Sequence, residues 1–99
     1  MRKIEAEMLQ AVALKKDWSK ANTEVLRGFG GVNMSVFLHG HHIATTDDWG
    51  GVEPNLQTLR DYPSRTTLSR LWALGVDVCR RKGRIILNGA DIGSCEGWR

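Results

Sequence analysis

Apolar residues near the start of the chain fall at helical spacing. Ile4, Met8, Ala11 and Val12 recur at i, i+4, i+7 and i+8, with Leu9 and Leu14 beside them. Glu5 and Glu7 in the early turns and Lys15 and Lys16 at the end suit the helix dipole. The pattern predicts a first helix, with Trp18 and Ser19-Lys20-Ala21-Asn22 as its exit. The pattern then turns to strands. Thr23–Arg27 reads as a short strand, Gly28–Gly31 as a turn and Val32–Leu38 as a strand. His39-Gly40 joins Val32–Leu38 to a strand over His41–Thr46, because an X-Gly pair suits the positive φ of a type I′ hairpin turn. After a loop at Asp47–Gly51, Glu53–Leu59 reads as a further strand, with Pro54 confining it to a sheet edge.

A second helix is expected to open at Ser64. Pro63 precedes it, Ser64 is a good N-cap, and Leu68, Leu71, Trp72 and Gly75 fall at 0, +3, +4 and +7. Gly75 is the natural stop. Val76–Arg80, Arg84–Leu87 and Ala90–Ile92 follow as strands, joined by turns at Arg81-Lys82-Gly83 and Asn88-Gly89. The two halves resemble each other. Val36–Ala44 aligns without a gap on Ile85–Gly93, 49 residues on, with Leu, Gly and Ile at matching places. Two readings are open: a duplicated αβββ unit with an extra strand between, or two unrelated X-Gly hairpins. Either way the expected fold class is α+β, with two helices packed on a mainly antiparallel sheet. Residues 1–93 are read as a single domain and 94–99 as a flexible C-terminal tail.

Composition fits an ordinary globular chain. The 99 residues are 41% hydrophobic and 25% charged, which excludes collagenous, low-complexity and wholly disordered classes. No apolar run approaches a transmembrane helix, and the N-terminus lacks a signal-peptide pattern. No membrane partner is expected, and a cytoplasmic location is. Cys79 and Cys95 form no disulfide framework and no zinc spacing, and read as small, semi-buried apolar residues.

Charge changes the picture more than composition does. Residues 60–84 hold seven basic side chains against Asp61 and Asp77, whereas residues 1–59 hold six basic and seven acidic. Six of the seven are Arg, suited to phosphate or carboxylate. Arg80, Arg81, Lys82 and Arg84 surround a hairpin tip. Such a tip can follow phosphates in a DNA groove, meet an acidic protein face, or simply sit in solvent. Arg65 and Arg70 are candidate extensions of this partner or nucleic-acid surface. Ser64, Arg65, Thr66 and Thr67 place hydroxyls and a guanidinium at a helix N-terminus, a candidate anion site; the plainer alternative is that Ser64 caps and Arg65 is solvated.

The remaining chemistry is sparse. His39, His41 and His42 cluster at a turn but lack ligand spacing, so no metal site is assigned. There is no nucleophile elbow, Walker loop or GxGxxG, so no catalytic residue, cofactor or enzymatic activity is expected. Of four tryptophans, Trp18 and Trp72 follow the helical pattern and are expected in the core. Trp49, in an Asp/Gly loop, is a candidate binding anchor, and Trp98 in the tail either docks back or meets a partner.

Met1–Met8, Trp18–Thr23, Val36–Ala44 and Pro63–Leu71 together resemble small accessory proteins of T7-like tailed bacteriophages and related prophages, over roughly residues 1–92. The resemblance implies a compact protein made in an infected bacterium and working in the host cytoplasm. With the basic surface, it leads to an expected non-enzymatic phage accessory protein. Such a protein would bind a host macromolecule and modulate or inhibit host transcription, replication or defence. The expected partner is a bacterial host protein, with direct DNA or RNA binding by a basic β-ribbon as the alternative. Oligomeric state is left open.

Overall fold

A computed structural model describes residues 2–28, 33–47 and 51–94. Helix α1 spans Lys3–Leu14 and ends on Lys15 at φ 54°. It buries Met8 and Ala11, as the periodicity predicts, but also Glu5. Five strands follow: β1 (Trp18–Lys20), β2 (Thr23–Arg27), β3 (Met34–Leu38), β4 (His41–Thr46) and β5 (Val52–Pro54). They form one antiparallel sheet in the order β1-β2-β3-β4-β5. The expected exit from α1 is therefore an edge strand, folded back on β2 through Ala21-Asn22. Trp18 is half-buried on that strand and packs against the core.

Helix α2 (Leu56–Asp61) corrects the strand expected over Glu53–Leu59. Only Val52–Pro54 pairs, on the outer edge, where a proline is tolerated. Asn55 then caps a helix, its side chain accepting from the Thr58 amide at 3.1 Å. Helix α3 (Arg65–Ala73) has Ser64 as N-cap, accepting from the Thr67 amide at 3.1 Å, and Gly75 follows at φ 94°. The last strands, β6 (Val78–Arg81), β7 (Arg84–Leu87) and β8 (Ala90–Ser94), make a separate antiparallel sheet in sequence order. The fold is α+β, with the strands divided between two sheets and a third helix added. β8 runs to Ser94, two residues past the expected strand end at Ile92 and one into the expected tail. Residues 95–99 lie outside the described residues.

The two halves repeat one geometry. The His39-Gly40 and Asn88-Gly89 turns have φ of 52° and 80°, and of 52° and 81°. Both hairpins shift register at the same place relative to their turns, at Val36/Phe37 and at Ile85/Ile86. The amide of each first turn residue reaches back alike, His39 to the Asn22 carbonyl at 2.8 Å and Asn88 to the Asp77 carbonyl at 2.7 Å. The helix ends match too. Lys16 and Val76 donate to the carbonyls of Ala11 and Leu71, five residues back, at 3.0 and 2.9 Å. Each half thus runs helix, strand and bulged hairpin, with β1 added between α1 and β2 in the first.

One cluster of buried side chains serves both sheets. It includes Met8 from α1, Val25, Val36 and Ile43 from the first sheet, Leu68 and Leu71 from α3, and Val78 and Ile85 from the second. Both outer strands of the second sheet have a carbonyl taken by a helix side chain. Trp72 Nε1 of α3 donates to the Val78 carbonyl, and Arg60 Nη1 of α2 to the Ile92 carbonyl at 3.5 Å. These contacts cover edges that would otherwise invite pairing.

Candidate functional site

The basic hairpin forms because Lys82-Gly83 closes β6 on β7 with φ of 50° and 75°, the double positive φ of a type I′ turn. Arg81 lies directly opposite Arg84. Like charges at such a pair repel. The clash is relieved on β8: Arg84 Nε donates to Asp91 Oδ2 at 2.5 Å. That hydrogen bond, the largest influence, outweighs desolvation and with help from the Gly93 amide holds the Asp91 carboxyl below its usual range. Arg80 is exposed, and its Nη1 donates to the Pro63 carbonyl at 3.2 Å. This contact fastens β6 beside the start of α3, where Arg65 is exposed at the first helical position. Arg80 and Arg65 therefore lie at one end of α3, although Arg65 stands 15 residues before Arg80, and the exposed Arg81 and Lys82 follow Arg80 at the hairpin tip.

Arg70 does not belong to that surface. The sequence offers it as an extension of the patch, but it is 3% exposed and lies inside the core. Its Nη1 donates to Glu5 Oε2 at 2.8 Å and its Nε to Thr23 Oγ1 at 3.0 Å. Ser69 Oγ donates to the same Glu5 oxygen at 2.5 Å. Burial pushes the Glu5 carboxyl up. The hydrogen bonds from Ser69 and Arg70, the Arg2 amide and the Arg70 charge together outweigh it, so its pKa lies below the ordinary value. Arg70 thus ties α3 to α1 and β2. Its position, five residues past Arg65, turns it onto the buried side with Leu71 and Thr67.

The expected anion site is present as a helix start, and two of its hydroxyls, those of Ser64 and Thr67, are already engaged with each other. Ser64 Oγ serves the Thr67 amide and shares a hydrogen bond with Thr67 Oγ1 at 3.0 Å. Thr67 is buried, Thr66 is half-buried, and Arg65 is exposed. The fold does bring this start to a concavity of about 370 Å³, lined by His39, His41, Tyr62, Ser64, Thr66 and Thr67 among others. The His41 and Tyr62 rings stack with centroids 4.1 Å apart. His42 points elsewhere: Asn55 Nδ2 meets its Nδ1 at 3.0 Å and its Nε2 meets Thr45 Oγ1 at 2.9 Å. Because Asn55 Oδ1 already caps α2, its amide nitrogen faces the ring, so Nδ1 accepts and Nε2 donates. Among the described residues no group of three or more His, Cys, Asp or Glu is placed to hold a metal ion.

Trp49 and Trp98 lie outside the described residues. Trp72 corrects its expectation: it is 56% exposed, not core. Thr67, Leu68, Arg70 and Leu71 fill the buried stripe of α3, which leaves Trp72 on its flank. Spacing alone leaves Trp72 ambiguous, four residues from buried Leu68 and seven from exposed Arg65; the burial of Arg70 on the other side of the stripe decides it.

Residues 1–95 match the family model described as Kyanoviridae Gp96 protein. The chain belongs to this family. It is therefore a phage protein, and the family is one of cyanophages. The match agrees with the phage resemblance of the sequence without extending to the T7-like group. Comparison with curated proteins and with solved structures found no match. Among the described residues of this family member no helix is long and apolar enough to cross a membrane.

Proposed function

We propose that this phage protein is a non-enzymatic accessory protein that binds a host macromolecule, with Arg65, Arg80, Arg81 and Lys82 as the contact face. The observation that carries the reading is the Arg80 bond to the Pro63 carbonyl at 3.2 Å. It ties Arg80 of the basic hairpin to the start of α3, which supports reading the two separate basic stretches as one face. An acidic face of a host protein is the complement, and binding there in the host cytoplasm would alter that protein's work in transcription, replication or defence.

The test is capture from nuclease-treated host lysate by wild type beside Arg81→Glu/Lys82→Glu. Neither residue is buried, so the fold is expected to tolerate the change to within about 0.5 kcal/mol. A host protein retained by wild type and lost by the variant supports the reading. Equal retention by both refutes the basic face.

A second reading, direct nucleic-acid binding, is favoured by one observation. The stacked His41–Tyr62 pair and the α3 start offer an aromatic platform beside hydroxyls and helix amides. It predicts single-stranded oligonucleotide affinity that falls with salt at a slope of about 0.7 per phosphate contacted. A flat salt response refutes it.

A further inference from the structure

We propose that the Trp72 indole is the apolar anchor of a docking surface for an acidic protein partner, flanked on one side by Arg65, Arg80, Arg81 and Lys82. The inference rests on the basic-face reading and goes further, by naming the anchor and the chemistry of the partner. Trp72 is 56% exposed, on the same face of α3 as Arg65. Seven residues of helix separate the two by about 10 Å along the axis. β6 is tied to α3 and its approach at two points: Trp72 Nε1 donates to the Val78 carbonyl, and Arg80 Nη1 to the Pro63 carbonyl.

That clamp has two consequences. The indole N–H is already used inside the protein, so the exposed part of the ring is hydrocarbon and wants an apolar cleft. The same bond fixes the ring before a partner arrives, which lowers the conformational entropy lost on binding. An exposed aromatic beside arginines is the composition of interface hot spots. The flank is cationic, so the cleft that receives the indole should carry carboxylates on the matching side. A second copy of this chain is a poor occupant, because equivalent faces would set arginine against arginine.

The test uses the full chain and three fluorescein-labelled probes, read by anisotropy. One is a peptide of alternating Glu and Leu, one a peptide of alternating Glu and Ser, and one a single-stranded oligo(dT). Wild type is expected to prefer the Glu–Leu peptide. Trp72→Ala should weaken that binding about 30-fold, the scale of a hot-spot truncation. Trp72→Phe should restore most of it. Both variants lose the same hydrogen bond to Val78, so the difference between them reads the ring and not the fold. Arg81→Glu/Lys82→Glu should weaken both peptides.

Equal affinity for the two peptides, or equal loss with Phe and Ala, overturns the anchor. If charge reversal still weakens binding in that case, the basic-face reading survives. Unchanged peptide binding after charge reversal, or no probe bound by wild type, overturns both. Tight oligo(dT) binding with a steep salt response and no peptide binding overturns the protein partner in favour of nucleic acid.

Discussion

Replacing Arg70 with methionine tests the central assignment of the core. Arg70 is 3% exposed and its guanidinium meets Glu5 and Thr23, so the substitution leaves the carboxylate of Glu5, a residue 4% exposed, without its counter-ion. Breaking one side of a buried pair costs about 3–5 kcal/mol. Total stability is about 5–15 kcal/mol for a domain, so the loss is a large share of it. At about 4–8 °C per kcal/mol for a chain of this size, Tm should fall by at least about 12 °C. Replacing both partners, as in Glu5→Leu/Arg70→Met, removes the stranded charge and should recover much of the loss. Urea unfolding of wild type, both single variants and the double variant, followed by circular dichroism, closes the cycle. An Arg70→Met variant within about 1 kcal/mol of wild type would refute the argument, since that is the scale of an exposed ion pair. Additive single effects would refute it too, because contacting groups in one network should couple by about 0.5–3 kcal/mol.

Three further outcomes are expected. The Glu5 carboxyl titrates below its ordinary value in the folded chain and returns to it on unfolding. Its stabilisation is therefore complete above about pH 4.5 and is lost as pH falls through the folded pKa. The stability gap between wild type and Glu5→Gln should shrink over that range in urea titrations, and a gap constant with pH would contradict the lowered pKa. Ser64→Ala removes the cap of α3 and should cost about 0.5–2 kcal/mol in thermal unfolding, with an unchanged Tm counting against the capping role. Gly75→Ala forces a Cβ into φ 94° and should cost about 1–2 kcal/mol in thermal unfolding, although nothing lies within 4 Å to clash with it; an unchanged Tm would refute the backbone strain.

Structure with local causes was legible along the chain. His39-Gly40 and Asn88-Gly89 make tight turns because the second residue takes positive φ freely. Ser64 caps α3 because its hydroxyl reaches an amide three residues on. The internal likeness was legible for the same reason, since both hairpins use the same turn chemistry. Distant neighbours settled the rest. The six residues Leu56–Asp61 are too few to display a helical period, and it is the Asn55 cap, held beside His42 of β4, that shows why the stretch is helical. Trp18 left the helical pattern because β2 lay ready to pair with it. The strands split between two sheets because β5, a proline-bearing edge, ends the first one, and α2 and α3 intervene before β6. Most tellingly, Arg70 went inside and Trp72 outside. A guanidinium enters a core only where a carboxylate 65 residues away is brought to meet it, and the sequence alone does not show that meeting. Trp72 stayed out because the narrow stripe of α3 was already filled by Leu68 and Leu71, and its indole nitrogen found the open carbonyl of Val78 at the sheet edge.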